Sequence, residues 1–224
     1  MTIPVRPTSL DHVALWVAER PALAAFLCDH LGMHVIEETD TFTLVGVDAK
    51  LGKLTLFDAD SPRERGALER IVLRVTDLDA ALARLPVQAE RRNDGVAAFE
   101  APAGVSLGLV AGSGRDYDVD HVVLALREPE VARAELERLG FERRNGVVAV
   151  ADRHVRLEVG ERSDAGRPLL NHLALLVDDA HAIETGELDV DEIKDARNTY
   201  AVFVRGPEGV RIEYVEHKPG FALV

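Results

Sequence analysis

Histidine and glutamate recur in this chain at places where they could hold a divalent metal. Four short segments carry a polar pair followed by an apolar run: Leu10–Val17 (LDHVALWV), Leu68–Val75 (LERIVLRV), Val119–Leu126 (VDHVVLAL) and Leu170–Val177 (LNHLALLV). Their third positions are His12, Arg70, His121 and His172. Two later runs carry acids: VRIEYV from Val210 holds Glu213, and HVRLEVG from His154 holds Glu158. Imidazole and carboxylate together suit Fe, Mn, Co, Ni and Zn, and a set of two His and one carboxylate leaves positions open for substrate or oxygen. These residues lie far apart in sequence. Their matching places in a repeat, rather than their spacing, give the pattern its weight; a lone strand His is ordinarily just hydrogen-bonded.

The elements that must position them repeat as well. The four segments start 58, 51 and 51 residues apart. A period of this size marks a repeated structural unit. Each segment reads as a buried strand, and a helix follows it. In unit one Pro21 stands near the helix start and Gly32 just past its end, the usual asymmetry, with Leu23, Phe26, Leu27 and Leu31 on one stripe. Units two and three show similar stripes, stopped by Pro86 and Gly140. Unit four offers only Asp178–Thr185 before Gly186. Three strands then follow, the last announced in units two and four by Pro-x-Gly at Pro102 and Pro207. The unit is βαβββ, four times over.

Side chains alternate faces along a strand. His121 shares a face with Val123 and Ala125, while Val122, Leu124 and Leu126 make the greasier face that should pack on the helix. His172 behaves alike. Glu213 sits with Arg211 and Val215, opposite Val210, Ile212 and Tyr214. All three polar residues can therefore point away from the helices.

Lys+Arg number 26 and Asp+Glu 39, a net charge of −13 that disfavours a nucleic-acid partner. No apolar run is long enough to span a membrane, the first residues lack the regions of a signal peptide, and a single Cys28 suits a reducing cytoplasm. Cys28 reads as a helix packing residue. Gly112-Ser113-Gly114 is the best linker, dividing residues 8–111 from 116–217.

Four βαβββ units, with His in opening strands and Glu in closing strands, resemble the vicinal oxygen chelate superfamily of glyoxalases, bleomycin-resistance proteins, epimerases and extradiol dioxygenases. The resemblance spans about residues 8–217 and is strongest at Gly206–Tyr214, GPEGVRIEY. It implies an α+β fold of four modules paired into two half-barrel, glyoxalase-like domains, each shaped as a cup. It also implies a divalent metal (Fe, Mn, Ni, Co or Zn) in the second cup, on His121, His172 and Glu213. Setting HVRLEVG against VRIEYV places Glu158 against Glu213, and His-Glu-His-Glu looks like the four-ligand set of bacterial glyoxalase I. Glu158 would be ligand or base; the alternative is a solvent-facing Glu paired with Arg156. Extradiol enzymes tend to carry a catalytic His near position 158, and a His and a Tyr where Lys194 and Phe203 stand here. Lys194 could donate a proton or anchor an anion. Tyr200 falls on the face opposite Phe203 and reads as packing.

In the first half His12 matches His121, but Arg70 replaces the second His and Gly108 the closing Glu, so this half is expected to be metal-free. Arg70 and Arg74, with Trp16 on the face of His12, could hold an organic anion; the plainer reading is an internally paired Arg. His30, His34, His181 and His217 have no counterpart in the repeat and read as surface residues, and His154 as a residue near the cup mouth. Three functions remain open: glyoxalase-like proton transfer, as an isomerase, epimerase or lyase, on a small molecule with adjacent oxygens; Fe(II) extradiol ring cleavage; or metal-free small-molecule binding. A homodimer would fit the family.

Overall fold

The computed structural model describes residues 6–50, 52–161, 167–184 and 188–221. Unit one contains β1 (Ser9–Val17), α1 (Arg20–His30), β2 (His34–Glu38), β3 (Phe42–Gly46) and β4 (Lys53–Asp58). Unit two contains β5 (Leu68–Val75), α2 (Leu78–Leu82), β6 (Glu90–Arg91), β7 (Ala97–Ala101) and β8 (Val105–Ala111). Unit three contains β9 (Val119–Leu126), α3 (Pro129–Arg138), β10 (Glu142–Arg144), β11 (Val147–Val150) and β12 (Arg153–Val159). Unit four contains β13 (Leu170–Leu176), α4 (His181–Glu184), β14 (Val190–Asp195), β15 (Thr199–Arg205) and β16 (Arg211–His217). The α+β fold of four βαβββ modules is therefore present. The fourth helix is a single turn; Thr185 and Gly186, expected at its end, lie outside the described residues.

The modules do not pair in chain order. One eight-stranded sheet runs β14-β15-β16-β13-β1-β4-β3-β2 and joins units four and one; the other runs β10-β11-β12-β9-β5-β8-β7-β6 and joins units three and two. The expected halves 8–111 and 116–217 are thus not the units that share a sheet. Opening strands meet antiparallel at each junction, β1 on β13 and β5 on β9. Each opening strand also runs parallel to its own closing strand. Each sheet's two halves curl around a cup.

Strand parity decides where the core sits. Val13, Leu15, Ile71, Leu73, Val122, Leu124, Leu173 and Leu175 all point to the helix side and are fully buried, in one core that draws on both sheets. Leu23 and Leu27 of α1 and Leu136 of α3 join it. Burying such a side chain contributes about 1.5–3 kcal/mol before entropy is counted, so the helix-side faces anchor the architecture. The cup sides carry only small clusters: Ala174, Ala201, Phe203 and Val215 in one, Val72, Val96 and Val123 in the other. Tyr200 packs in the main core while Phe203 faces its cup. After the Pro207–Gly209 turn, β16 is pinned by the Tyr214 hydroxyl donating to the Leu139 carbonyl at 2.9 Å.

Candidate metal centre

Every opening strand is bulged at its polar pair. Leu10 and His12 face consecutive residues of β13, which leaves Asp11 as the extra residue; Asn171 is the extra residue of β13. Glu69 and Asp120 occupy the same place in β5 and β9. Neighbours on a regular strand point to opposite faces, but a bulge bends the chain and brings two consecutive side chains together. Hence Asp11 Oδ1 lies 2.7 Å from His12 Nδ1, and Asn171 Oδ1 lies 3.0 Å from His172 Nδ1. An acceptor at Nδ1 fixes the proton there and turns Nε2 inward as a lone-pair donor.

The β1–β13 pairing then makes the site. His12 stands across from Ala174, and His172 across from Ala14. These small residues let the two rings approach until their Nε2 atoms are 3.0 Å apart. Glu213 comes from β16, in register with Ala174. Its Oε2 is 2.7 Å from His172 Nε2 and 3.2 Å from His12 Nε2. His172 and Glu213 are buried, and His12 is nearly so.

Burial disfavours charge here, yet the neighbours outweigh it at three groups. Burial pulls His12 down, but Glu213 and Asp11 raise it to about 9. Burial pushes Glu213 up, but His172 and His12 hold it well below the usual carboxylate range. Asp11 is likewise held low, burial being overcome by Lys53, His12 and His217. At His172 burial wins and the imidazole is pulled down. Two ring nitrogens and a carboxylate oxygen converge within 4.8 Å of one another. This donor set fits a divalent ion bound by two imidazoles and one carboxylate.

A cavity of about 420 Å³ opens from these three donors. Phe42, Phe57 and Phe203 supply its apolar wall. Phe203 packs edge-on to His172 at 5.2 Å between centroids. Lys194, half exposed, lines the cavity with its ammonium 5.3 Å from the Phe203 ring centre. All three donors come from this chain.

The model of the Glyoxalase/Bleomycin resistance protein/Dioxygenase superfamily matches residues 9–88. Over that stretch, its first unit and the opening strand and helix of the second, the chain is similar to this superfamily. Solved structures agree in fold. A putative dioxygenase from Bacillus subtilis superposes with a TM-score of 0.78 at 16% identity, covering 97% of this chain and 88% of that one. Glyoxalase I from Zea mays gives 0.74 at 12% identity, covering 93% and 92%. The cppA protein from Streptococcus pneumoniae gives 0.61 at 15% identity, covering 95% and 99%. No curated protein sequence matches the chain significantly.

The structure brings together two of the expected donors, His172 and Glu213, with a different third. His121 lies in the other sheet, and His12 takes its place. Glu158 also lies in the other sheet, exposed and in register with Ala125. The register shows why it was misplaced. Glu213 stands beside the residue two beyond His172, and the residue beside the equivalent Val123 is Arg156. The alignment of HVRLEVG on VRIEYV slips by two. Position by position, the cup of units one and four, the first, presents His12, Thr55, His172 and Glu213, and the cup of units two and three, the second, presents Arg70, Gly108, His121 and Arg156.

The second cup is filled. A Cβ on Gly108 would lie 2.6 Å from Val96 Cγ1 and 3.0 Å from Arg70 Cδ, so the Arg70 stem occupies the space above this glycine. Arg156 pairs with Asp94 at 2.7 Å. Asp120, His121 and His154 cluster within 4.8 Å. By register they match Asp11, His12 and Lys53, which are one ligand and its supports rather than a ligand set. Trp16 and Arg70 lie in different sheets, and Arg74 pairs with Asp152 and Asp120, so these residues do not form the anion cup the sequence allowed. His217, read from sequence as a surface residue, lines the cavity with its side chain 15% exposed. His12 could have been found from its Asp-His pair; nothing in the sequence signalled His217.

Proposed function

We propose that the protein is a divalent-metal enzyme acting on a small molecule with two adjacent oxygens, and that its reaction is Fe(II)-dependent oxidative cleavage of a catechol-like ring. The observation that carries this reading is the three-residue donor set. His12, His172 and Glu213 would hold the ion, and the fourth repeat position is Thr55 rather than an acid. Two His and one carboxylate with open positions suit non-haem Fe(II) oxygenases. Proton transfer of the glyoxalase type asks for a carboxylate near that fourth position, and Glu158 is in the other cup.

When bound, the ion supplies Lewis-acid activation of the paired substrate oxygens. The chain's own residues do the rest. Asp11 and Asn171 hold the two imidazoles in one orientation. Phe42, Phe57 and Phe203 form an apolar wall suited to a planar ring. Lys194 supplies a cation for an acidic substituent.

The test is anaerobic loading with Fe(II), then admission of air with a panel of catechols. Oxygen uptake in step with substrate loss is the expected result. Absence of uptake, together with solvent-deuterium incorporation into α-hydroxycarbonyl substrates, would replace this reading with proton transfer.

A further inference from the structure

A second cavity of about 420 Å³ opens on the same sheet and shares no lining residue with the metal cavity. It lies at the opposite strand ends. Trp16 stands near the end of β1, Leu170 opens β13, and Arg205 and Arg211 flank the β15–β16 turn. The metal cavity takes Asp11, Thr199 and His217 from the other ends of β1, β15 and β16. The two cavities stand back to back. The Trp16 ring lies 5.3 Å from that of Phe57, and the Arg211 guanidinium sits 4.1 Å over Phe203, so the wall of one cavity supports the wall of the other.

Three guanidiniums line this second cavity, those of Arg167, Arg205 and Arg211, against one carboxylate, Asp191. On a chain of net charge −13 this is a local reversal of sign. Arg205 and Arg211 stand directly opposite each other in the β15–β16 ladder, a like-charge pair that costs stability unless an anion bridges it. Asp191 is the extra residue of β14, at a bulge against β15. Its Oδ1 accepts from Arg205 Nη2 at 2.7 Å and its Oδ2 from Arg211 Nε at 3.0 Å. Arg211 also donates to Glu192. A guanidinium carries five N–H groups, so most of those on Arg205 have no protein acceptor among the described residues. Arg167 reaches Asp60 at 3.7 Å, beyond hydrogen-bond distance. Trp16, Pro168, Leu170 and Val210 make the apolar side. The segment behind Arg167 is pinned: Trp16 N donates to Leu169 O at 2.8 Å, and Leu169 N to Glu64 O at 2.7 Å.

We propose that this cavity is a second small-molecule site, which binds an organic oxyanion with a flat apolar body. The body lies on Trp16, and the carboxylate or phosphate is held by Arg167 and Arg205. Asp191 fixes Arg205 and Arg211 side by side and so sets the array. The planar, forked guanidinium matches both kinds of oxyanion. Trp16, which the sequence allowed to join Arg70 and Arg74 in an anion cup, thus meets three other arginines. The site needs no metal and does not depend on what the metal cavity binds.

Trp16 is the chain's single tryptophan, so its fluorescence reports on this cavity. The full chain, without added metal, is titrated with benzoate, phenyl phosphate, inorganic phosphate and benzyl alcohol. A saturable change is expected with benzoate or phenyl phosphate, weakening as salt is raised, and none with uncharged benzyl alcohol. The tighter of the two aromatic anions identifies the oxyanion. Inorganic phosphate should bind about tenfold or more weakly than phenyl phosphate, because it buries no ring. Arg167 and Arg205 are exposed, so the double variant Arg167→Gln with Arg205→Gln should keep the fold. Its affinity for the aromatic anion should fall by about tenfold or more, the scale of a lost charged hydrogen bond. Lys194→Gln, in the other cavity, should leave the titration unchanged. No saturable change with either aromatic anion, or wild-type affinity in the double variant, would overturn the site. Inorganic phosphate binding as tightly as phenyl phosphate would overturn the part given to Trp16.

Discussion

The two cups of this molecule share one scaffold and differ in what fills it. Both form where two opening strands pair antiparallel, and both bulge at a polar pair. In the first cup the residues two beyond each His are Ala14 and Ala174; in the second, the corresponding residues are Val72 and Val123. The first cup keeps four small or ligand-type side chains, His12, Thr55, His172 and Glu213. The second holds two arginines, and Gly108 yields its space to the Arg70 stem. The bulge and the oriented imidazole are thus necessary but not sufficient. Asp120 holds His121 at 2.7 Å just as Asp11 holds His12, yet the imidazole beside His121 is His154, stacked on it where Lys53 stands in the other cup, and the place of the closing acid holds Arg156. A metal centre needs the residues across the junction as well as the one that resembles a ligand.

The sharpest way to break this comparison is to remove one histidine from each cup. His172→Ala or Glu213→Gln should abolish metal retention, a loss well beyond the about 10–100-fold typical of an orienting partner. His121→Ala should leave metal content unchanged by elemental analysis. Metal lost with His121 and kept without His172 would reverse the assignment.

Acidity should discriminate next. In the metal-free protein His12 keeps its proton up to about 9, because Glu213 and Asp11 outweigh burial. An incoming ion must displace that proton. Affinity should rise with pH by about tenfold per unit and level off above the His12 value. Calorimetry in buffers of differing ionisation enthalpy should count a proton released at neutral pH; a flat profile contradicts the His12 assignment. The same shift has a stability consequence of defined sign. A group whose folded value lies above its ordinary 6.5 stabilises the metal-free fold fully below 6.5, and that contribution fades as pH rises through about 9.

The smallest effect concerns the filled cup. Gly108→Ala forces a methyl against Val96 and Arg70 and should destabilise the fold by about 1–3 kcal/mol. Denaturant melts would measure it. Because the strain lies in the other sheet, metal affinity should not change.

Much of this was legible in the chain. The Pro-x-Gly turn before Glu213 and the alternation around His121 and His172 located strands and assigned faces, because both depend on neighbours a few residues away. Glu158 shows where that information runs out. A slip of two residues leaves every side chain on the same face, so alternation cannot detect it. Only hydrogen-bond register placed Arg156, not Glu158, opposite the position that Glu213 fills.

The repeat units, their internal order, the polar pair that opens each and the closing glutamate of the fourth were determined by sequence alone. Which units share a sheet was decided by tertiary structure. Four similar opening strands offer several ways to pair, and local patterning is the same in each. The choice rests on contacts between units far apart in the chain, and it puts His12 rather than His121 beside His172 and Glu213 in the candidate centre. It also brought His217, which has no counterpart in the repeat, to the same cavity.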